Sequence, residues 1–328
     1  MIVTLTANPS LDRTVALPGP LLRGEVQRAV SVRQESGGKG VNVSRALVAS
    51  GLKTVAVLPG AEADPVLAGL RAGDVPFSAL PIGGPLRSNV ALTEPGGVTT
   101  KINEPGPVLS ADQQEALIGL LLDRSRGASW VVLAGSLPPG VPADFYATVT
   151  RRLRSMDHGN EAPLIAVDSS GEPLAAAISG DALGKPDLLK PNAEELAELA
   201  AAAGFATDKS AEELEADPEA AAAAAAAVVR SGVGAVLATL GSKGAVLVTA
   251  DGAWLATHPP VKAVSTVGAG DSSLAGYLLA SSQGAAPADC LRQAVAHGAA
   301  AASLPGSTVP AVHQTTPAAV TITALKKD

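Results

Sequence analysis

A glycine-rich turn that leads into a helix is the strongest chemical signal in the sequence. Gly268 and Gly270 flank Ala269, and Asp271 follows where an apolar helical pattern begins. Such a turn leaves backbone N–H groups exposed at the positive end of a helix dipole, which suits a bound phosphoryl group. A purely structural alternative stays open at this point: the glycines make a tight turn and Asp271 caps the helix.

A second glycine cluster opens another predicted helix. Gly37, Gly38 and Gly40 surround Lys39, and the amide of Asn42 follows two residues later. A cation and an amide beside exposed N–H groups suit a phosphate or a polyol, although a strand-to-helix turn with a solvated lysine fits as well. Neither cluster matches the P-loop or the Gly-x-Gly-x-x-Gly fingerprint, which disfavours a P-loop nucleotide hydrolase and a standard dinucleotide-binding fold.

Four further segments carry polar or glycine residues directly after predicted strands. Asp12 can accept hydrogen bonds from sugar hydroxyls, and segments 135–140 and 239–244 are glycine turns, the second suited to a nucleotide. Asn192 and Glu195 are three residues apart on one helical face, where they can hold the water shell of Mg²⁺. Each segment alone fits a cap or a turn. Together they predict a ligand site, because open parallel sheets bind ligands at the carboxyl ends of their strands.

Strands and Ala/Leu-rich helices alternate along the chain, which predicts an α/β fold with a mainly parallel sheet. Core strands are predicted at residues 2–5, 55–58, 130–133, 164–167, 188–189, 235–239 and 245–248. Helices are predicted at residues 43–50, 111–124, 143–154, 193–203, 211–231, 272–282 and 288–302. Residues 14–35 and 89–103 break this rhythm with alternating apolar and polar side chains, which predicts antiparallel ribbons that pair in space as a small β-sheet lid.

Composition excludes several classes of protein. The 328 residues have a formal net charge of −7 and are 47% hydrophobic, which is typical of a folded acidic protein without the basic surface of a nucleic-acid binder. The single cysteine, Cys290, and four scattered histidines argue against disulfides and against a His or Cys metal site. No clean apolar run of about 18 residues and no basic leader occur, so we expect no membrane partner and a cytoplasmic location.

Seven motifs, in order, resemble those of the phosphofructokinase-B (pfkB) branch of the ribokinase-like carbohydrate kinases over essentially the whole chain. They occupy residues 4–12, 37–44, 87–90, 135–140, 190–195, 239–244 and 266–271. Within the family, the segment around Lys39 is most similar to bacterial 1-phosphofructokinases. The resemblance implies one ribokinase-like domain over residues 1–328, a three-layer α/β sandwich with the lid at about 14–35 and 89–103.

For function, the resemblance implies transfer of the γ-phosphoryl group of ATP, with Mg²⁺, to a phosphorylated ketose. D-fructose 1-phosphate, giving fructose 1,6-bisphosphate, is the expected substrate; tagatose-6-phosphate kinase and minor-type 6-phosphofructokinase are the alternatives. A non-catalytic sugar-phosphate sensor is the alternative from another class, disfavoured because Asp271 and the anion-binding glycines are all present. Apolar residues of the lid, such as Val26 and Val32, predict a homodimer formed through it.

The resemblance also assigns the site residues. Asp271 is the general base, and Gly268, Ala269 and Gly270 present N–H groups to the transferring phosphoryl. The substrate residues are Asp12, Gly38, Lys39, Asn42, Arg87, Lys101, Asn103 and Ser136. The nucleotide residues are Lys190, Asn192, Thr239, Gly241, Ser242, Gly244 and Thr266, and Asn192 and Glu195 hold Mg²⁺ through water. The cations on the substrate side favour a sugar that carries its own phosphate, unless Arg87 and Lys101 only coat the lid.

Overall fold

The computed structural model describes residues 1–157, 162–205 and 209–326, which form two β-sheets and flanking helices. The strands are β1 Ile2–Leu5, β2 Ser10–Ala16, β3 Ser31–Gly37, β4 Thr54–Pro59, β5 Phe77–Leu80, β6 Arg87–Thr93, β7 Thr99–Asn103, β8 Trp130–Ala134, β9 Leu164–Asp168, β10 Leu188–Leu189, β11 Ala235–Thr239, β12 Ala245–Thr249, β13 Ala253–Thr257 and β14 Thr321–Leu325. The helices are α1 Lys39–Ala49, α2 Pro65–Ala72, α3 Ala111–Arg124, α4 Phe145–Arg154, α5 Gly171–Ala176, α6 Ala193–Ala202, α7 Ala211–Ala216, α8 Pro218–Arg230, α9 Ala269–Ser282 and α10 Pro287–Ala302.

The large sheet has ten strands in the order β14-β13-β12-β11-β10-β9-β8-β1-β4-β5. From β11 to β5 every neighbouring pair is parallel, whereas β12, β13 and β14 pair antiparallel at one edge. The parallel strands are nearly continuous apolar runs, as expected for strands covered on both faces. Their carboxyl ends meet along one edge of the sheet, where Gly135, Asp168, Lys190 and Thr239 lie at or directly after the ends of β8, β9, β10 and β11.

Helices cover both faces of the large sheet, which confirms the predicted three-layer α/β architecture. One core lies beneath α1, α9 and α10 and includes Val43, Leu47, Leu274 and Leu291. The other lies beneath α3, α4, α6 and α8 and includes Leu117, Val149, Leu196 and Val228. Among the described residues, no helix is both long and apolar enough to cross a bilayer.

The small sheet is formed by β2, β3, β6 and β7 in the order β3-β2-β6-β7. The two predicted ribbons therefore do pair, and each contains an antiparallel pair, but β2 and β6 join them in parallel. Both ribbons also begin earlier than predicted, at Ser10 and at Arg87. Cross-strand register places Asp12, Glu35, Asn89 and Asn103 side by side, so one face of this sheet is polar.

Several elements differ from the sequence prediction. The helix predicted at 211–231 is two helices, because Asp217 caps α8 by accepting from the Ala220 N–H, and Pro218 cannot continue α7. The prediction omitted α2, α5, β5 and the antiparallel edge strands β13 and β14. These elements are short, and the edge strands mix apolar with polar residues, so the criterion of continuous apolar runs does not select them.

Candidate active site

The anion turn, residues 268–271, is the first feature of the site. Gly268 has φ 76°, a left-handed conformation that favours glycine, and α9 begins at the next residue. Within the described part of the chain, the N–H groups of Gly268, Gly270 and Asp271 donate no hydrogen bond, whereas the Ala269 N–H donates to the Thr266 carbonyl at 3.3 Å. Three unpaired N–H groups at a helix N-terminus can therefore bind an anion here.

Asp271 lies buried at this turn and accepts a hydrogen bond from Asn42 Nδ2 at 2.8 Å. Burial and the nearby carboxylate of Asp168 raise the pKa of Asp271 to about 6, against the opposing effects of Asn42, Lys190 and Lys39. A carboxylate with this pKa is ionised at neutral pH and still accepts a proton readily, which is what a general base requires.

Two lysines and a buried aspartate lie beside the anion turn. Asp168, fully buried at the end of β9, contacts Lys39 Nζ through Oδ1 at 2.7 Å and Lys190 Nζ through Oδ2 at 3.2 Å. Burial acts to raise the pKa of Asp168, but the two ammonium groups outweigh it and hold that pKa below its usual value. Lys190 also lies against the turn, since a Cβ added to Gly270 would stand 3.2 Å from its Nζ. The pair supplies positive charge where a phosphoryl group would bind.

This cluster differs in two ways from the sequence assignment. Lys39, assigned above to the sugar phosphate, directs its ammonium to Asp168 and, at 3.6 Å, to Glu195 Oε1. Burial alone would lower the pKa of Lys39, but the two carboxylates outweigh burial and hold that pKa above its usual value, so the ammonium group stays charged. Asp168 was not among the assigned residues, although its position directly after the predicted strand 164–167 is a signal that could have identified it.

Asn192 and Glu195 form a reciprocal cap at the start of α6. The Asn192 N–H donates to Glu195 Oε2 at 2.9 Å, and the Glu195 N–H donates to Asn192 Oδ1 at 2.8 Å. The remaining oxygen, Glu195 Oε1, accepts no hydrogen bond within the described residues and faces Lys39. In those residues no three His, Cys, Asp or Glu side chains converge to bind a metal directly. A single carboxylate oxygen that accepts no hydrogen bond suits a hydrated Mg²⁺ rather than a fully protein-ligated ion.

The polar face of the small sheet carries the second part of the site. Asp12 Oδ1 accepts from Ser10 Oγ at 2.7 Å and from Asn89 Nδ2 at 3.1 Å, and burial raises the pKa of Asp12 despite these bonds. Gly37, the cross-strand partner of Ser10, lies against this group, and any Cβ there would overlap the Asp12 carboxyl group. Asn103 pairs with Asn89 across the strands. The sheet thus presents a fixed carboxyl group among amides, suitable for sugar hydroxyls.

Arg87 lies at the edge of this face, beside a cavity of about 340 Å³. Its Nη2 donates to Ser136 Oγ at 3.3 Å and its Nη1 to the Glu104 carbonyl at 3.2 Å. Burial lowers the pKa of Arg87, although Asp12 and Glu104 oppose that effect. Lys101 is exposed on β7, where its register partner Ala91 places it on the same face as Asp12. Arg87 and Lys101 are thus cations on the polar face of the small sheet.

The predicted nucleotide segment 239–244 forms the turn between β11 and β12. The Leu240 N–H donates to the Gly244 carbonyl at 2.8 Å, and Gly244 has φ 102°. A single parallel bridge joins Thr239 to Asn192, which brings this turn beside α6, and Ser242 is exposed. Thr266 is exposed two residues before the anion turn. The turn thus has a structural role, and its exposed edge lies at the same end of the sheet as the lysine pair.

Exposed N–H groups, a near-neutral carboxylate and paired lysines at the carboxyl ends of parallel strands can bind and transfer a phosphoryl group. The sequence profile described as "pfkB family carbohydrate kinase" matches residues 6–314. The chain belongs to the pfkB family of carbohydrate kinases, as its motifs predicted. It is therefore a kinase whose acceptor is a sugar hydroxyl.

The chain is similar in sequence to phosphofructokinases that act on different positions of the sugar, as their names state. A 1-phosphofructokinase of Rhodobacter capsulatus is 33% identical over 90% of this chain and 88% of its own length. An ATP-dependent 6-phosphofructokinase isozyme 2 of Mycobacterium tuberculosis is also 33% identical, over 93% and 85% of the two chains.

Solved structures support the same fold. Phosphofructokinase-2 of Escherichia coli, in complex with substrates and products, matches with a TM-score of 0.83 and 30% identity over 95% of this chain and 96% of that one. A ribokinase of Thermotoga maritima matches with a TM-score of 0.72 at 18% identity, over 96% and 97% of the two chains. The predicted ribokinase-like fold is confirmed.

Proposed function

We propose that the protein transfers the γ-phosphoryl group of ATP to the free primary hydroxyl of D-fructose 1-phosphate, giving fructose 1,6-bisphosphate and ADP. The observation that carries this proposal is the anion turn, where Asp271 lies beside the unpaired N–H groups of Gly268 and Gly270. Arg87 on the sugar side supports a substrate that carries a phosphate, and the similarity to a 1-phosphofructokinase supports fructose 1-phosphate. ATP and sugar phosphates occur in the cytoplasm, where we place the protein.

In this mechanism the small sheet orients the sugar and Asp271 removes the proton. Asp12 and Asn89 hold sugar hydroxyls, and the attacking hydroxyl gives its proton to the Asp271 carboxylate as its oxygen bonds to the γ-phosphorus. The bond from that phosphorus to the bridging oxygen breaks, and ADP leaves. The N–H groups of the anion turn and the ammonium of Lys190 stabilise the charge on the transferring group. Asp271 then releases its proton to solvent.

Mg²⁺, when bound with ATP, neutralises phosphate charge. Its water shell would be held by Glu195 Oε1 and by the amide of Asn192, the two residues that cap α6. Because one oxygen of Glu195 is already occupied by the Asn192 N–H, Glu195 keeps a fixed orientation whether or not the metal is present. Lys39 forms ion pairs with Glu195 and Asp168 and so offsets the negative charge of these two carboxylates.

A substrate panel tests the proposal. Purified protein is assayed with ATP and Mg²⁺ against fructose 1-phosphate, fructose 6-phosphate and tagatose 6-phosphate, with ADP release as the signal. We expect the highest kcat/KM with fructose 1-phosphate. Preference for fructose 6-phosphate or tagatose 6-phosphate would instead identify the corresponding alternative kinase. Binding of a sugar phosphate without turnover of any of the three would identify a sensor.

Arg87→Met should weaken binding of the sugar phosphate far more than binding of ATP. A lost contact between charged groups raises the KM for the ketose phosphate by roughly 10- to 100-fold, while the KM for ATP stays within about twofold. Steady-state kinetics with each substrate varied in turn measures both values. Arg126→Met, an exposed arginine after α3, is the control and should leave both unchanged. A rise in the KM for ATP alone would contradict the assignment of Arg87.

We also propose that two copies pair through the outer face of the small sheet. Val15, Val32 and Leu92 share one cross-strand row there, and Val90 and Ile102 share the next. Val32 and Ile102 are 50% and 56% exposed, an apolar surface that a second copy would bury. The same proposal makes the small sheet a lid over the sugar, which excludes water from the reaction.

Sedimentation at micromolar concentration tests this pairing. We expect a particle of twice 32.4 kDa, and a monomer for the double variant Val32→Asp with Ile102→Asp, because the two charges could not be buried. Leu183→Asp is the control, because Leu183 is an exposed apolar residue outside the small sheet, and it should leave the dimer intact. A monomeric wild-type protein, with and without substrates, would rule out the dimer.

A further inference from the structure

The side chain of Arg45, which takes no part in the mechanism proposed above, connects the small sheet to the region of Asp271. Arg45 lies in α1. Its Nη1 donates to the carbonyls of Ser36 and Ser307 and to Asn42 Oδ1, each at 3.3 Å. Its Nη2 donates to Glu35 Oε1 at 3.4 Å. These partners belong to the end of β3, to α1 and to the loop after α10, so one guanidinium group ties three segments together.

The contact with Asn42 fixes the orientation of an amide. Asn42 accepts from Arg45 through Oδ1 and donates to Asp271 Oδ2 through Nδ2 at 2.8 Å. A flipped amide would place its oxygen against the carboxylate and its N–H₂ group against the guanidinium, and both contacts would be repulsive. Arg45 therefore selects the orientation in which Asn42 stabilises the ionised, proton-accepting form of Asp271.

The contact with Glu35 links Arg45 both to the loop beside the anion turn and to the small sheet. Glu35 Oε2 accepts from the Ser307 N–H at 3.3 Å and from Ser307 Oγ at 2.8 Å. Ser307 is buried, and a Cβ added to Gly268 would stand 3.9 Å from its Cα, so this loop packs against the anion turn. Glu35 is also the cross-strand partner of Asp12 on the polar face of the small sheet.

We infer that Arg45 is a positioning residue for phosphoryl transfer. It holds the Asn42 amide toward Asp271, and its own guanidinium group is held in place by Glu35 and the Ser307 carbonyl. The inference rests on the proposed function, because it assigns Arg45 to the same reaction. Arg45 contacts no reacting group directly, so its effect must pass through Asn42.

Kinetics of Arg45 variants test the inference. We expect Arg45→Met to lower kcat by roughly tenfold, the effect of losing one charge-assisted contact, while the KM for ATP stays within about twofold. Arg45→Lys keeps the charge but cannot donate in four directions, so it should lower kcat to a similar degree. Adding Arg45→Met to Asn42→Ala should cause no further loss, because the two residues act in series. Arg152→Met, an exposed helical arginine paired with Glu115, is the control.

A substrate-independent measurement separates this inference from the proposed function. Carboxyl ¹³C NMR, with the Asp271 signal assigned from Asp271→Asn, gives the pKa of Asp271 without any phosphoryl acceptor. We expect that pKa to be higher in both Arg45→Met and Arg45→Lys than in wild type. The charged groups that face Asp271, namely Asp168 from β9, Lys190 after β10 and Lys39 from α1, are the same in all these proteins.

Three results would overturn the inference. If Arg45→Lys has the wild-type kcat and the wild-type pKa of Asp271, a positive charge at this position suffices and the hydrogen bonds of the guanidinium group are not needed. Additive losses in the double variant would show that Arg45 does not act through Asn42. A lower melting temperature with unchanged kcat in Arg45→Met would show a role in stability only. If wild type turns over no substrate of the panel, the proposed function fails, whereas the NMR titration still decides the role of Arg45.

Discussion

Asp271→Asn is expected to lower kcat by roughly 10²-fold or more, the usual contribution of a positioned general base. Asparagine has the same shape and can still accept the hydrogen bond from Asn42, so the fold and ATP binding should be retained. The measurement is kcat by ADP release, with ATP affinity from calorimetry and the fold from circular dichroism.

The matched control is Asp289→Asn, which removes an exposed carboxylate from the first turn of α10 and should leave kcat unchanged. In wild type, kcat should fall as the pH drops through about 6, because protonated Asp271 cannot accept the hydroxyl proton. A folded Asp271→Asn protein with turnover near that of wild type would show that Asp271 is only part of the helix start.

Asp168→Asn should have the largest effect on stability. Lys39 and Lys190 would lose their shared anion, and removal of one partner from a buried ion pair costs about 3–5 kcal/mol. Urea unfolding gives the free energy of unfolding of both proteins. Glu115→Gln, which breaks the exposed pair with Arg152, is the control and should cost less than about 1 kcal/mol.

The pH dependence of the difference in unfolding free energy between wild type and Asp168→Asn is a sharper test. The lysines hold the pKa of Asp168 lower in the folded protein than in the unfolded chain, so its stabilisation is complete above the unfolded pKa of about 4. It is lost as the pH falls through the lower, folded pKa. Wild type and Asp168→Asn should therefore differ most at neutral pH and converge below about pH 4. A difference that stays constant with pH would mean that the carboxylate charge is not what stabilises the protein.

Local sequence was sufficient for the parts of the site that local geometry determines. The anion turn and the Asn192–Glu195 cap each lie within a few consecutive residues, and glycine or capping chemistry marks them directly. The parallel core strands were predictable for the same reason, since each is a continuous buried run. The family resemblance then predicted roles for residues whose neighbours in space are distant in sequence.

The partners of Lys39 could not be predicted in this way. Lys39 and Asp168 are 129 positions apart, and only the order of strands in the sheet decides that the end of β9 lies beside the start of α1. A lysine between two glycines is equally compatible with a sugar phosphate and with a buried carboxylate. Likewise, the alternation of apolar and polar residues predicted both ribbons of the small sheet, but it carries no information on whether β2 and β6 run parallel.

The junction between β3 and α1 has a mechanical consequence. Four chain segments connect the small sheet to the rest of the protein, and the shortest is the single residue Gly38, with φ 111°. A one-residue connection leaves only two soft backbone dihedral angles to take up a tilt of the small sheet, so such a tilt would displace the start of α1. Because α1 carries Lys39 and Asn42, a movement of the small sheet on binding sugar would shift both side chains relative to Asp271.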